Sequence, residues 1–222
     1  MRSYQQYCGL ARALDHVGDR WTLLIVRELL IRGVARYSDL QQGLPGIATN
    51  LLANRLRQME RSGLIVRDQT APPVAAHVFR LTPRGQELEG VIAAFGRWAS
   101  PLMEAPHRRD AIRGHWFILP VRLYLRDRAP SSPPVTVQIE FPDAPVVLRT
   151  RGDGRVTADP GRVPEPDATV SGPPSLVMGL LGGRLTLRQA RARGLRLEGN
   201  AAALERVQRD RGAPGQLNAL RV

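Results

Sequence analysis

The sequence predicts an α+β protein in two domains: helices followed by a β-hairpin and a last helix over residues 1–105, then a sheet-and-helix domain over residues 106–222. Three observations carry this. Apolar residues recur at helical spacing through most of the first hundred positions, interrupted by one pair of strand-like runs facing each other across APP. After residue 105, alternating runs such as VTVQIEF and turn signals such as Asp153-Gly154 appear between short helices. Prolines cluster in that second half, at APSSPP, FPDAP and VPEPD.

In order, residues 10–17 read as an amphipathic helix broken by Gly18. Asp19 N-caps a second helix, whose Trp21, Leu24, Ile25 and Leu29 form an inward stripe ending at Gly33. Ser38-Asp39-Leu40-Gln41 has capping-box spacing and predicts a short third helix, closed by Gly43 and Pro45. A fourth helix begins near Thr49; Leu52, Leu56 and Met59 face the core, and Gly63 ends it. LIVRDQ and AHVFRL make a hairpin. Thr82-Pro83 then caps a long helix running to about Met103. A tight helix-turn-helix followed by a β-hairpin is a winged helix-turn-helix.

The outer face of the fourth helix is the informative one. Asn50, Ala53, Asn54, Arg57 and Arg61 share its outer side, and the candidate DNA contacts are Thr49, Asn50, Asn54, Arg55, Arg57 and Arg61 with Arg67 and His77 on the hairpin. Asn can pair adenine N6/N7 and Arg guanine O6/N7 in the DNA major groove, while marginal arginines reach phosphates. A plain solvated helix face is the alternative. Charge points the same way: the chain has 32 basic residues, all arginine, against 20 acids, a net charge of +12. That favours an anionic partner, nucleic acid before a membrane surface. It does not locate the site of binding, because residues 1–105 hold 13 Arg and 9 acids whereas residues 106–222 hold 19 and 11.

Other classes are disfavoured. Without lysine, P-loop and Schiff-base chemistry are excluded. His16, His77, His107 and His115 lack metal-ligand spacing, and no HExxH, CxxC or G-x-S-x-G motif occurs, so neither an enzyme nor a cofactor is expected. One cysteine fits a reducing cytoplasm, and neither a signal peptide nor a membrane span is expected.

The segments CGLARALDHVGDRWTLLIVRELL, RYSDLQQGLPGI, LLANRLRQMERSGLIVR and FRLTPRGQEL, with Trp98 beyond them, resemble HxlR-type winged helix regulators over roughly residues 7–100. The resemblance implies a dimeric bacterial transcription factor that binds double-stranded DNA, with residues 49–62 as reading helix and a wing around residues 67–77. Such regulators commonly carry Ser or Thr after the GI pair, where this chain has Ala48; Thr49 would then cap with a one-residue shift. A wide apolar stripe on the last helix includes Val91, Phe95, Trp98 and Leu102. Packing within the domain would use only part of it. The resemblance assigns the rest, with Leu10 and Leu14 of the first helix, to a homodimer interface and an inverted-repeat operator. Some regulators of this type sense oxidants or electrophiles near Cys8, which makes it the candidate redox residue. Arg12, one turn on, would lower its pKa. The plainer reading is a half-buried small residue at the dimer edge.

In the second half, residues 112–125 read as a helix kinked at Pro120, followed by strands at VTVQIEF, a hairpin at VVLRTRGDGRVTAD and a strand at DATVSG. Helices follow at PPSLVMGLLGG and TLRQARARG, then the strand LRLEG and a helix AAALERVQRD capped by Asn200. Residues 166–207 resemble the C-terminal part of the sterol-carrier-protein-like fold. That implies an apolar cavity beneath the helices, lined by Val137, Ile139, Leu176, Val177, Leu180 and Leu181, which in a regulator would hold a hydrophobic small-molecule effector. An ordinary filled core is the alternative. At the level of function, the alternative is a hydrophobic-ligand carrier whose winged helix serves assembly.

Overall fold

A computed structural model describes residues 3–69, 77–103 and 109–209. The turn at residues 71–73 and the compositional boundary at residues 106–108 lie outside these. The chain forms two compact units, Met1–Phe95 and Gly96–Val222.

The first unit contains helices α1 (Gly9–Val17), α2 (Thr22–Arg32), α3 (Tyr37–Gly43) and α4 (Thr49–Arg61), with a short strand β1 (Val34–Arg36) between α2 and α3. Strands β2 (Ile65–Gln69) and β3 (His77–Leu81), then α5 (Pro83–Gln86) and α6 (Leu88–Trp98), complete the series; α6 crosses the division between the units. Gly63, at φ +70°, turns α4 into β2. The strands form an antiparallel sheet in the order β1-β3-β2. Ile25, Leu29, Leu40, Leu44, Leu52, Met59 and Ile65 are fully buried at its core, each contributing about 1.5–3 kcal/mol by removal from water.

Several elements depart from the sequence reading. The inward face of α2 is Thr22, Ile25, Val26 and Leu29; Leu24 is exposed and Trp21 half-buried. The start of α3 is not Ser38. The helix begins at Tyr37, and the Asp39 carboxylate accepts the Arg36 backbone N–H at 2.8 Å. The long closing helix divides into α5, α6 and a 3-10 turn at Ser100–Met103. Thr82 caps its start, with its hydroxyl accepting the Gly85 N–H at 3.0 Å. Pro101 lacks an N–H and disfavours α geometry before it, which accounts for the 3-10 ending.

Glu28 is fully buried on α2. Its carboxylate accepts from Arg27 Nη2 at 2.8 Å and Nε at 3.2 Å, and Arg32 Nε lies 3.5 Å away. Gly43, closing α3, sits against this carboxylate so closely that a Cβ there would lie 2.2 Å from Glu28 Oε2.

The second unit is α+β. A 3-10 turn (Gly114–Phe117) leads into α7 (Ile118–Tyr124), where Pro120 occupies the first turn and so costs no hydrogen bond and produces no separate kinked helix. Strands β4 (Leu125–Asp127), β5 (Thr136–Glu140), β6 (Val146–Thr150), β7 (Val156–Pro160) and β8 (Ala168–Ser171) follow. The chain then runs through α8 (Pro174–Leu181), α9 (Leu187–Ala192), β9 (Arg196–Gly199), α10 (Ala201–Arg206) and β10 (Val207–Arg209). The main sheet has the order β7-β6-β5-β8-β9, with β5 and β8 parallel and the other pairs antiparallel.

Asn200 caps α10 through its side-chain oxygen, but the helix stops four residues short of the sequence expectation. Val207 turns extended, and β10 pairs with β4. The reason is Arg206. Its guanidinium grips the buried Asp127 carboxylate at 2.7 and 3.0 Å and also donates to the carbonyls of Ala129 and Pro133.

Candidate nucleic-acid interface

The amphipathic sequence of α4 sets the geometry of the candidate site. Leu52, Leu56 and Met59 are buried, so Thr49, Asn50, Asn54, Arg57 and Arg61 project from the opposite side and are exposed. Arg57 Nη2 donates to Asn54 Oδ1 at 2.5 Å, and Arg61 Nε donates to the Arg57 carbonyl at 3.3 Å. The face is thus a short ladder of amide and guanidinium groups, with Glu60 the one acid on the helix.

Two residues of α3 fix where this face begins, Gln41 in a role other than the capping one that its spacing predicts. Tyr37 donates its hydroxyl to the Thr49 carbonyl at 2.6 Å, and Gln41 donates its amide to the Thr49 hydroxyl at 3.0 Å. Their i,i+4 spacing on a short polar helix was the available signal. Thr49 therefore does not cap α4. Ala48 holds the N-cap position with no side-chain hydrogen bond to the first turn, because its methyl cannot accept one, and Thr49 is already the first residue of the helix.

Arg55 sits apart from the other arginines. It is half-buried on the flank of α4, its Nε 3.1 Å from Asp19 Oδ1 and its Nη1 donating to Gln58 at 2.6 Å. Asp19 also accepts the N–H groups of Trp21 and Thr22, at 2.8 and 3.1 Å, and the Thr22 hydroxyl. With Oδ1 already accepting two N–H bonds, Arg55 Nε meets it as a charge without hydrogen-bond alignment. Asp19 thus caps the turn that opens α2, two residues before the N-cap position held by Trp21, and additionally ties α4 to that helix.

In the wing, Arg67 lies opposite Phe79, and Gln69 opposite His77. Arg67 and His77 are both exposed. Arg80 is neutralised by Asp68, Nε to Oδ2 at 2.6 Å. The tip between β2 and β3 lies outside the described residues.

The apolar positions assigned to self-association are exposed. Leu10 is 70% and Leu14 38% accessible on α1, of which only Ala11 is buried. Val91, Phe95 (54%) and Trp98 (65%) follow helical spacing on α6, and Leu102 is exposed in the 3-10 turn beyond. Leu88 and Ile92, from the same run, instead pack against the core.

Cys8 is exposed in the single chain. Its thiol pKa is lowered by the backbone N–H groups of Ala11 and then Leu10 at the start of α1, rather than by Arg12, although no capping hydrogen bond forms. In the second unit, Val137 and Ile139 are fully buried on β5, and Val177 and Leu181 are buried on α8. Leu176 and Leu180 are half-buried. Among the described residues no helix is long and apolar enough to cross a membrane, and no group of three or more His, Cys, Asp or Glu could hold a metal ion.

Comparison with known proteins addresses the first unit. Residues 16–107 match the HxlR-like helix-turn-helix family. The HTH-type transcriptional regulator sll1512 of Synechocystis is 36% identical over 98 residues, which cover 44% of this chain and 71% of that protein. The HTH-type transcriptional regulator Mb3122 of Mycobacterium bovis is 37% identical over the same length, with 61% of its own chain covered. Among solved structures, the reduced form of the transcriptional regulator YodB from Bacillus subtilis shares 25% identity, covering 46% of this chain and 100% of its own, with a TM-score of 0.40. By its helix-turn-helix and wing, by the family match and by its likeness to the Synechocystis regulator, the chain belongs to the HxlR-like helix-turn-helix family.

Proposed function

We propose that this protein is a dimeric, sequence-specific transcriptional regulator that reads duplex DNA with α4 and braces on the backbone with its wing. The observation that carries this reading is the exposed Asn50–Asn54–Arg57–Arg61 face of a helix whose first residue is held by Tyr37 and Gln41 of the preceding helix. Asn50, Asn54 and Arg57 are assigned to bases, and Thr49, Arg61, Arg67 and His77 to phosphates. Arg55 holds the scaffold. Residues 1–105 supply DNA binding and dimerisation, the latter through Leu10, Leu14, Val91, Phe95, Trp98 and Leu102. An exposed apolar set of this kind is what self-association would cover. Two-fold pairing places the reading helices about 34 Å apart, on successive major grooves.

Residues 106–222 are assigned as a sterol-carrier-like effector domain. The support is a five-stranded sheet with Val137 and Ile139 buried on β5, and a separate apolar helix, α8, that carries Leu176, Val177, Leu180 and Leu181. A hydrophobic effector there would alter DNA affinity only by binding two conformations unequally. The family and its setting in transcription accord with action in the cytoplasm.

The test is selection of bound duplexes from a random pool, with affinity followed against salt. An inverted repeat with half-sites about one helical turn apart is the expected result. Binding without sequence preference would refute the reading and leave a ligand carrier whose winged helix serves assembly.

A further inference from the structure

The surplus of positive charge in the second half of the chain is concentrated in one place. Residues 184–196, RLTLRQARARGLR, hold five arginines and no acid. They follow α8 and run through α9 into the first residue of β9. The segment is firmly built. Thr186 accepts the Gln189 N–H at 3.2 Å while the Gln189 side chain accepts the Thr186 N–H at 2.9 Å, a reciprocal cap. Ala190 and Leu195 are buried and anchor it to the unit, and Leu195 N–H returns to the Ala190 carbonyl at 3.0 Å. Gly194, at φ +103°, makes the turn between them.

On this frame Arg184, Arg188, Arg191, Arg193 and Arg196 are all exposed. Arg184 donates to the Met103 carbonyl at 3.3 Å; none of the five has an acidic partner among the described residues. The nearby end of the sheet does not neutralise them. Arg196 lies opposite Ser171, which in turn lies opposite Glu140, and Glu140 is held by Arg162 at 2.6 and 3.0 Å. Glu198, two residues along β9, is the one nearby acid left over.

We propose that this arginine surface is a second binding surface for the phosphate backbone of duplex DNA, made by the C-terminal unit and independent of the reading helix. It rests on the reading of the protein as a DNA-binding regulator. A duplex is favoured over a membrane because membrane-binding surfaces combine basic side chains with apolar ones that enter the bilayer. Within residues 184–196 no large apolar side chain is exposed: Leu185 and Leu187 are half-buried and Leu195 is buried. Leu102 and Met103 are exposed at the Arg184 end, where Arg184 meets the Met103 carbonyl. Around α9 and the start of β9 the surface carries charge and little else, which suits a sequence-independent track of phosphates.

The test uses the full chain and a long mixed-sequence duplex, with the binding constant measured across a range of salt. Four chains are compared: the parent, an R188Q/R191Q/R193Q variant, an R57A/R67A variant of the reading unit, and a chain that combines the two sets. Thermal unfolding by circular dichroism establishes that the exposed substitutions leave the fold intact. The slope of log K against log salt changes by about 0.9 for each phosphate that the protein no longer neutralises. The triple variant is therefore expected to flatten it by about 2–3, and to do so equally in the R57A/R67A background. A slope unchanged by the triple substitution overturns this inference alone. A slope changed by it but not by R57A/R67A sustains the inference and refutes the assignment of α4 and the wing. A parent that binds no duplex overturns both. Loss of binding to phosphatidylserine vesicles in the triple variant, with the DNA slope unchanged, overturns it in favour of a lipid surface.

Discussion

Asp19 carries two separable tasks, and a mutant cycle tells them apart. As a cap it accepts the N–H groups of Trp21 and Thr22 and the Thr22 hydroxyl; as an ion-pair partner it meets Arg55 Nε at 3.1 Å. Losing the cap costs about 0.5–2 kcal/mol. The pair is 18% exposed on the Arg55 side and 20% on the Asp19 side, and partial solvent screening holds its contribution to about 0.2–1 kcal/mol. Asp19→Ala should therefore destabilise the first unit by roughly 1–3 kcal/mol. Asp19→Asn keeps an accepting oxygen and should lose mainly the smaller, ionic part. Arg55→Met keeps the aliphatic packing and should lose no more than about 1 kcal/mol. Replacing Trp98 and Trp116 by Phe leaves Trp21 as the sole indole, and its backbone N–H is donated to Asp19. Its fluorescence during urea unfolding then reports this unit. If Arg55→Met costs as much with Asp19 replaced by Ala as with Asp19 present, the pair contributes nothing and Arg55 is not a scaffold residue. A loss under about 0.5 kcal/mol for Asp19→Ala would also refute the cap.

The bare start of α4 should be improvable: Ala48→Ser supplies the missing cap and is expected to raise stability by about 0.5–1 kcal/mol, read as a higher urea midpoint at unchanged slope. Asn54→Ala should relax base preference at one operator position at a cost of roughly 1–3 kcal/mol. Arg67→Ala should instead weaken all duplexes alike and flatten the salt slope by about 1, both read by competition binding. The Arg206 guanidinium holds the Asp127 carboxylate below the usual range, with smaller help from the Ala129 N–H. A depressed carboxylate contributes stability that is full above its unfolded pKa, near pH 4, and is lost as pH falls through the folded value. Acid titration of the second unit should accordingly show a loss below about pH 4 that is absent from Arg206→Met. The variant itself should be about 3–5 kcal/mol less stable at neutral pH, because Asp127 is left buried and unpaired.

What could be read from the chain followed from local signals. Leu52, Leu56 and Met59 fix both faces of α4 by periodicity, and Thr186 and Asn200 announce their helices as caps whose hydrogen bonds form as expected. Three of the misreadings share a cause: a distant residue overrode a local pattern. The hydroxyl expected to cap α4 is held by Gln41, eight positions earlier. Arg55, expected among the DNA contacts, is held instead by Asp19, thirty-six positions away. The helix expected beyond Arg206 ends because Asp127 and the carbonyls after it bind that side chain. Strand β1 is three residues long and has no period to detect; its pairing with β3 comes from the tertiary fold.

The buried carboxylate of Glu28 and the bare backbone of Gly43 occupy one small volume between them. Any side chain at position 43 enters the space filled by Glu28 Oε2, and retreat of Glu28 would break its bonds to Arg27 and Arg32. Bulk at these two positions is therefore constrained as a sum. Gly43→Ala alone should be poorly tolerated, whereas the same alanine becomes acceptable once residue 28 is shortened and its arginines are replaced by apolar residues of similar size. The close approach of α3 to α2, one helix before the proposed reading helix, thus rests on a buried carboxylate and on a residue with no side chain at all.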